Sequence, residues 1–348
     1  MDYLFEYLIF LAEVVTIVVA IIAVLAAISS LGARRAHGSG GHLEVRKLNE
    51  ALDGLRNSVR SALIEPNLLK KQQRSEAKSK KAEKKAAQKE QPQQTGDTDA
   101  GDAPKRVFVL DFKGDLQANA VKHLRTEITA ILTMAGKNDE VLIRLESPGG
   151  SVHGYGLAAS QLDRIRQHGV TLTAAVDKVA ASGGYMMAVV ADRILAAPFA
   201  LIGSIGVVAQ VPNVHRLLKK HDVDVEVLTA GKYKRTLTVL GENTEEGRQK
   251  FIEELEDVHA LFQDHVAERR PELDLDEVAT GEAWYGQRAL ERKLVDEIST
   301  SDEYLTQACA DGDVFHVRWV EHKKPIDRLL GQVENSLGRV VERLTGGL

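Results

Sequence analysis

The chain has 348 residues, of which 27% are charged and 44% hydrophobic, a composition that fits one large or two modest globular domains. Its single cysteine, Cys309, excludes an intramolecular disulfide. The formal net charge is −5, although residues 34–90 hold 15 Lys and Arg against 7 Asp and Glu, so the basic block is local and gives no support to nucleic-acid binding.

The first 33 residues predict a membrane anchor. Residues 14–33 are 20 consecutive uncharged residues, and a helix of that length spans the hydrocarbon core of about 30 Å at about 1.5 Å per residue. Basic residues follow the apolar run and acidic residues precede it, the reverse of a cleaved signal peptide. We therefore expect 1–33 to be a single-pass anchor in a lipid bilayer. Because Arg34 and Arg35 follow it, the positive-inside rule places the remainder of the chain in the cytoplasm.

Residues 34–104 predict an amphipathic segment followed by a basic and polar linker. Apolar residues recur at helical spacing within 43–64, which suits either a short coiled coil between protomers or a helix on the lipid surface. Residues 70–104 are rich in Lys, Gln, Ala and Glu and then in Gly, Asp and Thr, a composition typical of a solvated linker.

From residue 105 onward the sequence predicts alternating strands and helices, and hence an α/β fold. The predicted strands are 106–111, 141–145, 171–176, 193–196, 205–209 and 225–229, and the predicted helices are 120–135, 155–168 and 244–270. We assign 105–300 to a catalytic core and 301–348 to a C-terminal amphipathic helical tail. The apolar face at 326–344 would dock on the core or on a neighbouring protomer, contact the membrane, or occupy the active site.

The sequence Ala-Ser-Gly-Gly-Tyr at 181–185 suggests a nucleophile. It precedes the apolar run 186–191, so a helix would begin near Ser182. The free N–H groups at the start of that helix, and the helix dipole, favour a developing negative charge. A second glycine turn, Ser-Pro-Gly-Gly at 147–150, directly follows a predicted strand. Two such turns form the two walls of an oxyanion hole.

The base that would activate this serine is predicted to be a lysine. No histidine lies in a pattern that indicates a triad, although His153 follows the first glycine turn. Lys234 lies in Gly-Lys-Tyr-Lys at 231–234, and Lys232 ranks second. A lysine base must be neutral, so its pKa has to be lowered by desolvation or by nearby cations such as Arg235.

Several motifs in register resemble the signal peptide peptidase A family, serine peptidase family S49, over residues 105–300. The single catalytic core, the N-terminal apolar segment and the long basic linker are similar to one branch of that family. The motifs are Ser-Pro-Gly-Gly at 147–150, Ala-Ser-Gly-Gly-Tyr at 181–185, Ile-Gly-Ser-Ile-Gly-Val at 202–207, Gly-Lys-Tyr-Lys at 231–234, Thr-Gly-Glu-Ala-Trp-Tyr-Gly-Gln-Arg-Ala-Leu at 280–290 and Leu-Val-Asp-Glu-Ile at 294–298.

The resemblance implies a role for each matching position. Ser182 corresponds to the nucleophile, Lys234 to the general base, and Ser204 to a serine whose hydroxyl orients the lysine. The backbone N–H groups of Gly150 and Gly183 correspond to the oxyanion donors. It also implies a ClpP/crotonase-like spiral of ββα units and a homo-oligomeric ring in which serine and lysine come from adjacent protomers.

The function expected from these patterns is a membrane-anchored serine endopeptidase that cleaves unfolded proteins or membrane-derived peptides at a bacterial inner membrane. The resemblance places the catalytic domain on the exported side, in conflict with the charge rule. No metal or other cofactor is predicted, because no cluster of His, Cys and carboxylates has ligand spacing. Two alternatives stay open: a catalytically silent membrane scaffold, and crotonase-like acyl-CoA chemistry, for which no second-turn carboxylate or nucleotide pocket is evident.

Overall fold

The computed structural model describes Thr16, residues 41–64 and residues 105–321. Its contacts divide the chain into two units, Val45–Arg318 and Met1–Glu44 with Trp319–Leu348. The account below concerns the first of these, together with residues 41–44 and 319–321, which belong to its two end strands. Apart from Thr16, the predicted anchor at 1–33, the linker at 70–104 and the helical face at 326–344 lie outside the described residues. Within the described ranges, no helix is both long enough and apolar enough to span a bilayer.

A largely parallel sheet forms the centre of this unit and confirms the α/β prediction. The sheet order is β1-β10-β2-β3-β4-β6-β9, and a smaller sheet has the order β5-β7-β8. The strands are β1 Gly41–Lys47, β2 Arg106–Lys113, β3 Glu140–Glu146, β4 Thr171–Val176, β5 Val179–Ala181, β6 Arg193–Ala196, β7 Leu201–Gly203, β8 Ala283–Tyr285, β9 Glu297–Ile298 and β10 Asp313–Glu321.

The central strands are apolar along their length because helices cover both faces of the sheet. In β2, β3, β4 and β6 the register aligns Leu110, Ile143, Ala174 and Ile194 in one row, and each is fully buried. Strands buried on both faces are continuous hydrophobic runs rather than alternating patterns. This is why the strands at 106–111, 141–145, 171–176 and 193–196 could be recognised directly from the sequence.

Helices with one apolar face connect the strands. Val121–Leu132, for example, buries Leu124, Ile128 and Ile131, which recur at helical spacing. The helices are α1 Leu48–Leu63, α2 Val121–Leu132, α3 Val152–Gln167, α4 Gly183–Ala188, α5 His215–Lys220, α6 Glu245–Arg269, α7 Leu275–Val278, α8 Gly286–Glu291 and α9 Ser301–Asp311.

Two predicted strands were wrong. The strand expected at 205–209 lies earlier, as β7, because the chain turns sharply at Gly203 and Ser204, where φ is 98° and 52°. Residues 225–229 have no regular structure, and Leu228 there is 88% exposed. A strand without a partner strand leaves its backbone N–H and C=O groups without hydrogen bonds, so the residue pattern alone could not predict a strand there.

The two ends of the described core also differ from expectation. Residues 43–47 belong to strand β1, and the helix predicted over 43–64 begins only at Leu48; Lys47 forms an ion pair with Asp313 at 2.6 Å. Residues 301–321, assigned to the tail, form α9 and β10, and β10 pairs in parallel with β2. The sheet therefore extends past residue 300.

Candidate active site

Ser182 occupies a strained elbow between β5 and α4. Its φ of 51° and ψ of −120° are unusual for a residue with a side chain. The conformation is held on both sides: the Ser182 N–H donates to the carbonyl of Gly203 at 2.8 Å, and its carbonyl accepts the N–H of Met186 at 2.9 Å. A strand–turn–helix elbow with a serine at its apex is the geometry of an exposed nucleophile.

The first glycine turn packs directly against this elbow. Gly149 has a φ of 91°, and a Cβ placed on it would lie 2.7 Å from the carbonyl oxygen of Ala181 and 2.8 Å from the nitrogen of Gly183. Any side chain at Gly149 would therefore push the two turns apart. The approach of one backbone to another explains why glycine is required here.

Two backbone N–H groups at this junction have no hydrogen-bond partner among the described residues. The Gly149 N–H donates to the Ser147 hydroxyl at 3.1 Å. By contrast, the N–H groups of Gly150 and Gly183 donate no hydrogen bond to any described residue. The Gly183 N–H is one of the unsatisfied donors at the start of α4. Gly150 and Gly183 are the residues whose N–H groups the sequence analysis expects to bind an oxyanion.

Ser204 lies in the same cleft as Ser182. It follows β7 with a φ of 52°, and its N–H donates to the carbonyl of Glu282 at 2.6 Å. Its hydroxyl donates to the carbonyl of Gly281 at 3.2 Å. The motifs at 202–207 and 280–290 therefore meet at the cleft, and Ser204 is held by the second of them.

Lys234 lies outside the cleft that contains Ser182 and Ser204. It is exposed in a turn in which its N–H donates to the carbonyl of Gly231 at 3.2 Å, and it does not belong to the described residues that line the cleft. Lys232 forms an ion pair with Glu246 at 2.8 Å and lies over the ring of Tyr233. The hydrogen bond to Glu246 raises the pKa of Lys232, which disfavours the neutral amine that a base requires. Lys234 therefore remains the better candidate of the two.

The cleft has a volume of about 990 Å³ and an apolar wall formed by α6. Val258, His259 and Phe262 of α6 line it, and a ring nitrogen of His259 donates to the carbonyl of Ile205 at 3.3 Å. Sequence reasoning missed His259, because α6 was recognised only as a long charged helix. His153, in contrast, is exposed on α3 and is not among the described residues that line the cleft.

The motif at 294–298 packs against α4, the helix that follows Ser182. The Tyr185 hydroxyl, fully buried in α4, donates to the carbonyl of Leu294 at 2.9 Å. Asp296 binds the guanidinium of Arg270 through both oxygens, at 2.6 and 2.7 Å, and accepts the N–H of Ile194. Burial opposes ionisation of Asp296, but the hydrogen bonds from Arg270 and Ile194 hold its pKa below the ordinary value. This motif is structural.

Comparison with known proteins identifies the family of this chain. The family model "Peptidase family S49 N-terminal" matches residues 2–162 and "Peptidase family S49" matches residues 164–314. A "Probable protease SohB" of Haemophilus influenzae is 51% identical over 98% of this chain and 96% of its own length. A "Putative protease SohB" of Buchnera aphidicola subsp. Baizongia pistaciae is 42% identical over 94% of each chain.

Among solved structures, a mutant of the 1510-N membrane-bound stomatin-specific protease covers 59% of this chain and 85% of its own, with a TM-score of 0.37 and 15% identity. That likeness carries no weight for function, whereas the sequence relatives extend along almost the whole chain. The chain therefore belongs to peptidase family S49, a family of proteases, and within it is similar to the SohB proteins.

Proposed function

We propose that this protein is a membrane-anchored serine endopeptidase in which Ser182 is the nucleophile and Lys234 the general base. The observation that carries the proposal is the strained elbow at Ser182, placed beside two unused N–H donors from Gly150 and Gly183. Strain of this kind persists only where the surrounding structure imposes it, and it is concentrated at functional sites. Membership of a protease family gives the reaction class.

The reaction then proceeds in two steps through an acyl-enzyme. The neutral amine of Lys234 takes the hydroxyl proton of Ser182 while the serine oxygen forms a bond to the peptide carbonyl carbon. The N–H groups of Gly150 and Gly183 bind the resulting oxyanion. As it collapses, the C–N bond breaks and the lysine ammonium gives its proton to the leaving amine. Water, deprotonated by the lysine, then releases the acyl group as a carboxylic acid and regenerates Ser182.

The base in this scheme comes from a neighbouring protomer. Lys234 is exposed and outside the cleft that contains Ser182 and Ser204. The segment that carries it also exposes many apolar side chains, as an unassembled interface does: Val208, Val211, Leu217, Val223, Val227, Leu228, Tyr233, Val239 and Leu240. We therefore assign the chain to a homo-oligomeric ring of ClpP/crotonase-like subunits, in which Ser204 of one protomer orients Lys234 of the next.

The substrate is an extended polypeptide, either an unfolded protein or a membrane-derived peptide. The turns that flank Ser182 are built of glycine and other small residues, so the backbone of a substrate strand can approach closely. The apolar run at 14–33 supports attachment to a bacterial inner membrane. The related SohB proteins are likewise named as proteases.

The test is cleavage of casein by the detergent-solubilised full-length chain. We expect Ser182→Ala and Lys234→Ala to lose at least about 1,000-fold in kcat, since each removes half of a unit that acts together. Lys232→Ala, the matched control, keeps most of its activity because Lys232 is paired with Glu246. Equal activity of parent, Ser182→Ala and Lys234→Ala would reject the peptidase in favour of a scaffold.

Mixing the two inactive variants tests whether the dyad is shared. In a ring assembled from equal amounts of Ser182→Ala and Lys234→Ala chains, about one interface in four joins an intact serine to an intact lysine, as expected for head-to-tail contacts. The mixture should therefore recover roughly a quarter of the parent activity. A mixture as inactive as its components would mean that both residues act within one chain.

A further inference from the structure

Ser147 and Tyr155 form a buried pair of hydroxyl groups beneath the two glycine turns. Both residues are 0% exposed, and their side-chain oxygens are 2.6 Å apart. Ser147 follows β3, and Tyr155 lies in the second turn of α3. The reaction scheme gives neither residue a role, yet a buried hydroxyl is retained only where its hydrogen bonds are satisfied.

The direction of the hydrogen bonds follows from their partners. The Tyr155 hydroxyl donates its one proton to the carbonyl of Asp115 at 2.9 Å, since a carbonyl can only accept. In its contact with Ser147, Tyr155 must therefore accept and Ser147 must donate. The oxygen of Ser147 in turn accepts the N–H of Gly149 at 3.1 Å. The result is a chain from Gly149 through Ser147 and Tyr155 to Asp115, in which each bond polarises the next.

The same two residues also support the second turn. A Cβ on Gly183 would lie 2.4 Å from Cγ of Tyr155, so the aromatic ring packs against the backbone of Gly183. A Cβ on Gly184 would lie 2.4 Å from the carbonyl oxygen of Ser147, and that oxygen accepts the N–H of Ala181 at 3.0 Å. These two residues thus contact both walls of the junction: their hydroxyls hold the first turn, whereas the ring of Tyr155 and the backbone carbonyl of Ser147 touch the second.

We infer that Ser147 and Tyr155 are positioning residues that fix the separation of the Gly150 and Gly183 N–H groups. The inference rests on the proposed function of the cleft. Donors stabilise an oxyanion only when they lie about 2.7–3.1 Å from its oxygen. Movement of the first turn relative to the second therefore slows the chemical step and leaves binding of the substrate almost unchanged.

The variants that isolate this effect are Tyr155→Phe, Ser147→Ala and the double substitution in the full-length chain. Tyr155→Phe keeps the ring against Gly183 and removes only the hydroxyl. Tyr304→Phe is the matched control, because its hydroxyl also binds a partly buried network, at Glu140, but at the opposite end of β3. It reports what the loss of a structural tyrosine hydroxyl does to turnover.

We expect each single variant to lower kcat about 10- to 100-fold, less than the complete loss of an oxyanion donor, with KM changed by less than about 3-fold. The kcat of the double variant should be no lower than that of the less active single variant, because all three proteins interrupt the same chain of hydrogen bonds. Tyr304→Phe should keep kcat within about 2-fold of the parent. Amide hydrogen exchange should become faster at 147–151 and 182–186 in the first three proteins and remain unchanged there in Tyr304→Phe.

The outcomes separate this inference from the proposed function. If the parent cleaves casein and Tyr155→Phe retains kcat within about 2-fold, the positioning role is rejected. It is also rejected if the loss of turnover only follows the loss of folded protein, as judged by the thermal transition. If the parent has no Ser182-dependent turnover, the proposed function fails, and unchanged exchange at 147–151 in Tyr155→Phe would then overturn the inference as well.

Discussion

Replacing Ser182 by glycine should abolish activity and at the same time stabilise the protein. Ser182 has a φ of 51° and a ψ of −120°, and a residue with a side chain held in such a region raises the free energy of the folded state by about 1–3 kcal/mol. Glycine adopts this conformation without strain but loses about 0.5–1 kcal/mol more backbone entropy on folding. The net gain in the free energy of unfolding therefore lies between about 0 and 2.5 kcal/mol, with a midpoint of about 1.25 kcal/mol. The midpoint raises Tm by roughly 2.5–5 °C in a core of this size.

The assay is thermal unfolding of Ser182→Gly beside Ser182→Ala, followed by circular dichroism. Both variants lack the nucleophile, but only glycine removes the strain, so only Ser182→Gly should unfold at a higher temperature than the parent. Lys293→Gly calibrates the effect, because Lys293 is exposed, has a φ of 61° and is not among the described residues that line the cleft. It should gain up to about 1.5 kcal/mol in the free energy of unfolding and keep full activity. If Ser182→Gly and Ser182→Ala have the same Tm while Lys293→Gly has a higher Tm than the parent, the strain at Ser182 is refuted.

Two further predictions concern the packing around the cleft. Gly149→Ala should destabilise the protein by about 2–5 kcal/mol in urea unfolding, because Gly149 has a positive φ and the added Cβ would clash with Ala181. The control is Gly156→Ala in a helix, where a Cβ would have nothing within 4 Å, and it should gain about 0.5–1 kcal/mol. A Gly149→Ala variant as stable as the parent would contradict the close approach of the turns. Burial lowers the pKa of His265 below its ordinary value of 6.5, in spite of its hydrogen bond to the carbonyl of Met186. Stability from this residue is complete above pH 6.5 and is lost as pH falls through the lowered pKa, so His265→Gln should flatten the fall in Tm below pH 6.5, and an unchanged pH profile would argue against it.

The elements that position Ser182 were predictable because local signals determine them. The apolar runs of β3 and β4, the glycines at 149 and 150 and the elbow at Ser182 each carry their own pattern. The strand at 205–209 was misplaced because its end depends on Ser204, whose N–H binds the distant carbonyl of Glu282. No periodicity reports such a contact between residues so far apart in sequence.

The supporting residues were missed for a related reason. Tyr155 was predicted only as the first residue of the helix 155–168, and nothing local indicates that its hydroxyl contacts Ser147 or Asp115. His259 lies in a helix whose remaining pattern is dominated by charge, so its place in the cleft follows from how α6 packs. Sequence patterns can identify residues that lie along one element, whereas the contacts of Tyr155 and His259 depend on how separate elements pack together.

The composition of the cleft bears directly on which residue is the base. Among the described residues that line it, His259 is the one side chain that carries a nitrogen base. Its Nε2 must carry a proton to donate to the carbonyl of Ile205, which leaves Nδ1 as the other nitrogen able to accept one. Ser182 therefore has two possible general bases. One is His259 of its own chain, which is already hydrogen-bonded to the backbone. The other is Lys234 of a neighbouring protomer. If His259 is the base, Lys234→Ala keeps its activity and a dissociated protomer is active. If Lys234 is the base, activity disappears with the ring, and mixing the two inactive variants restores it.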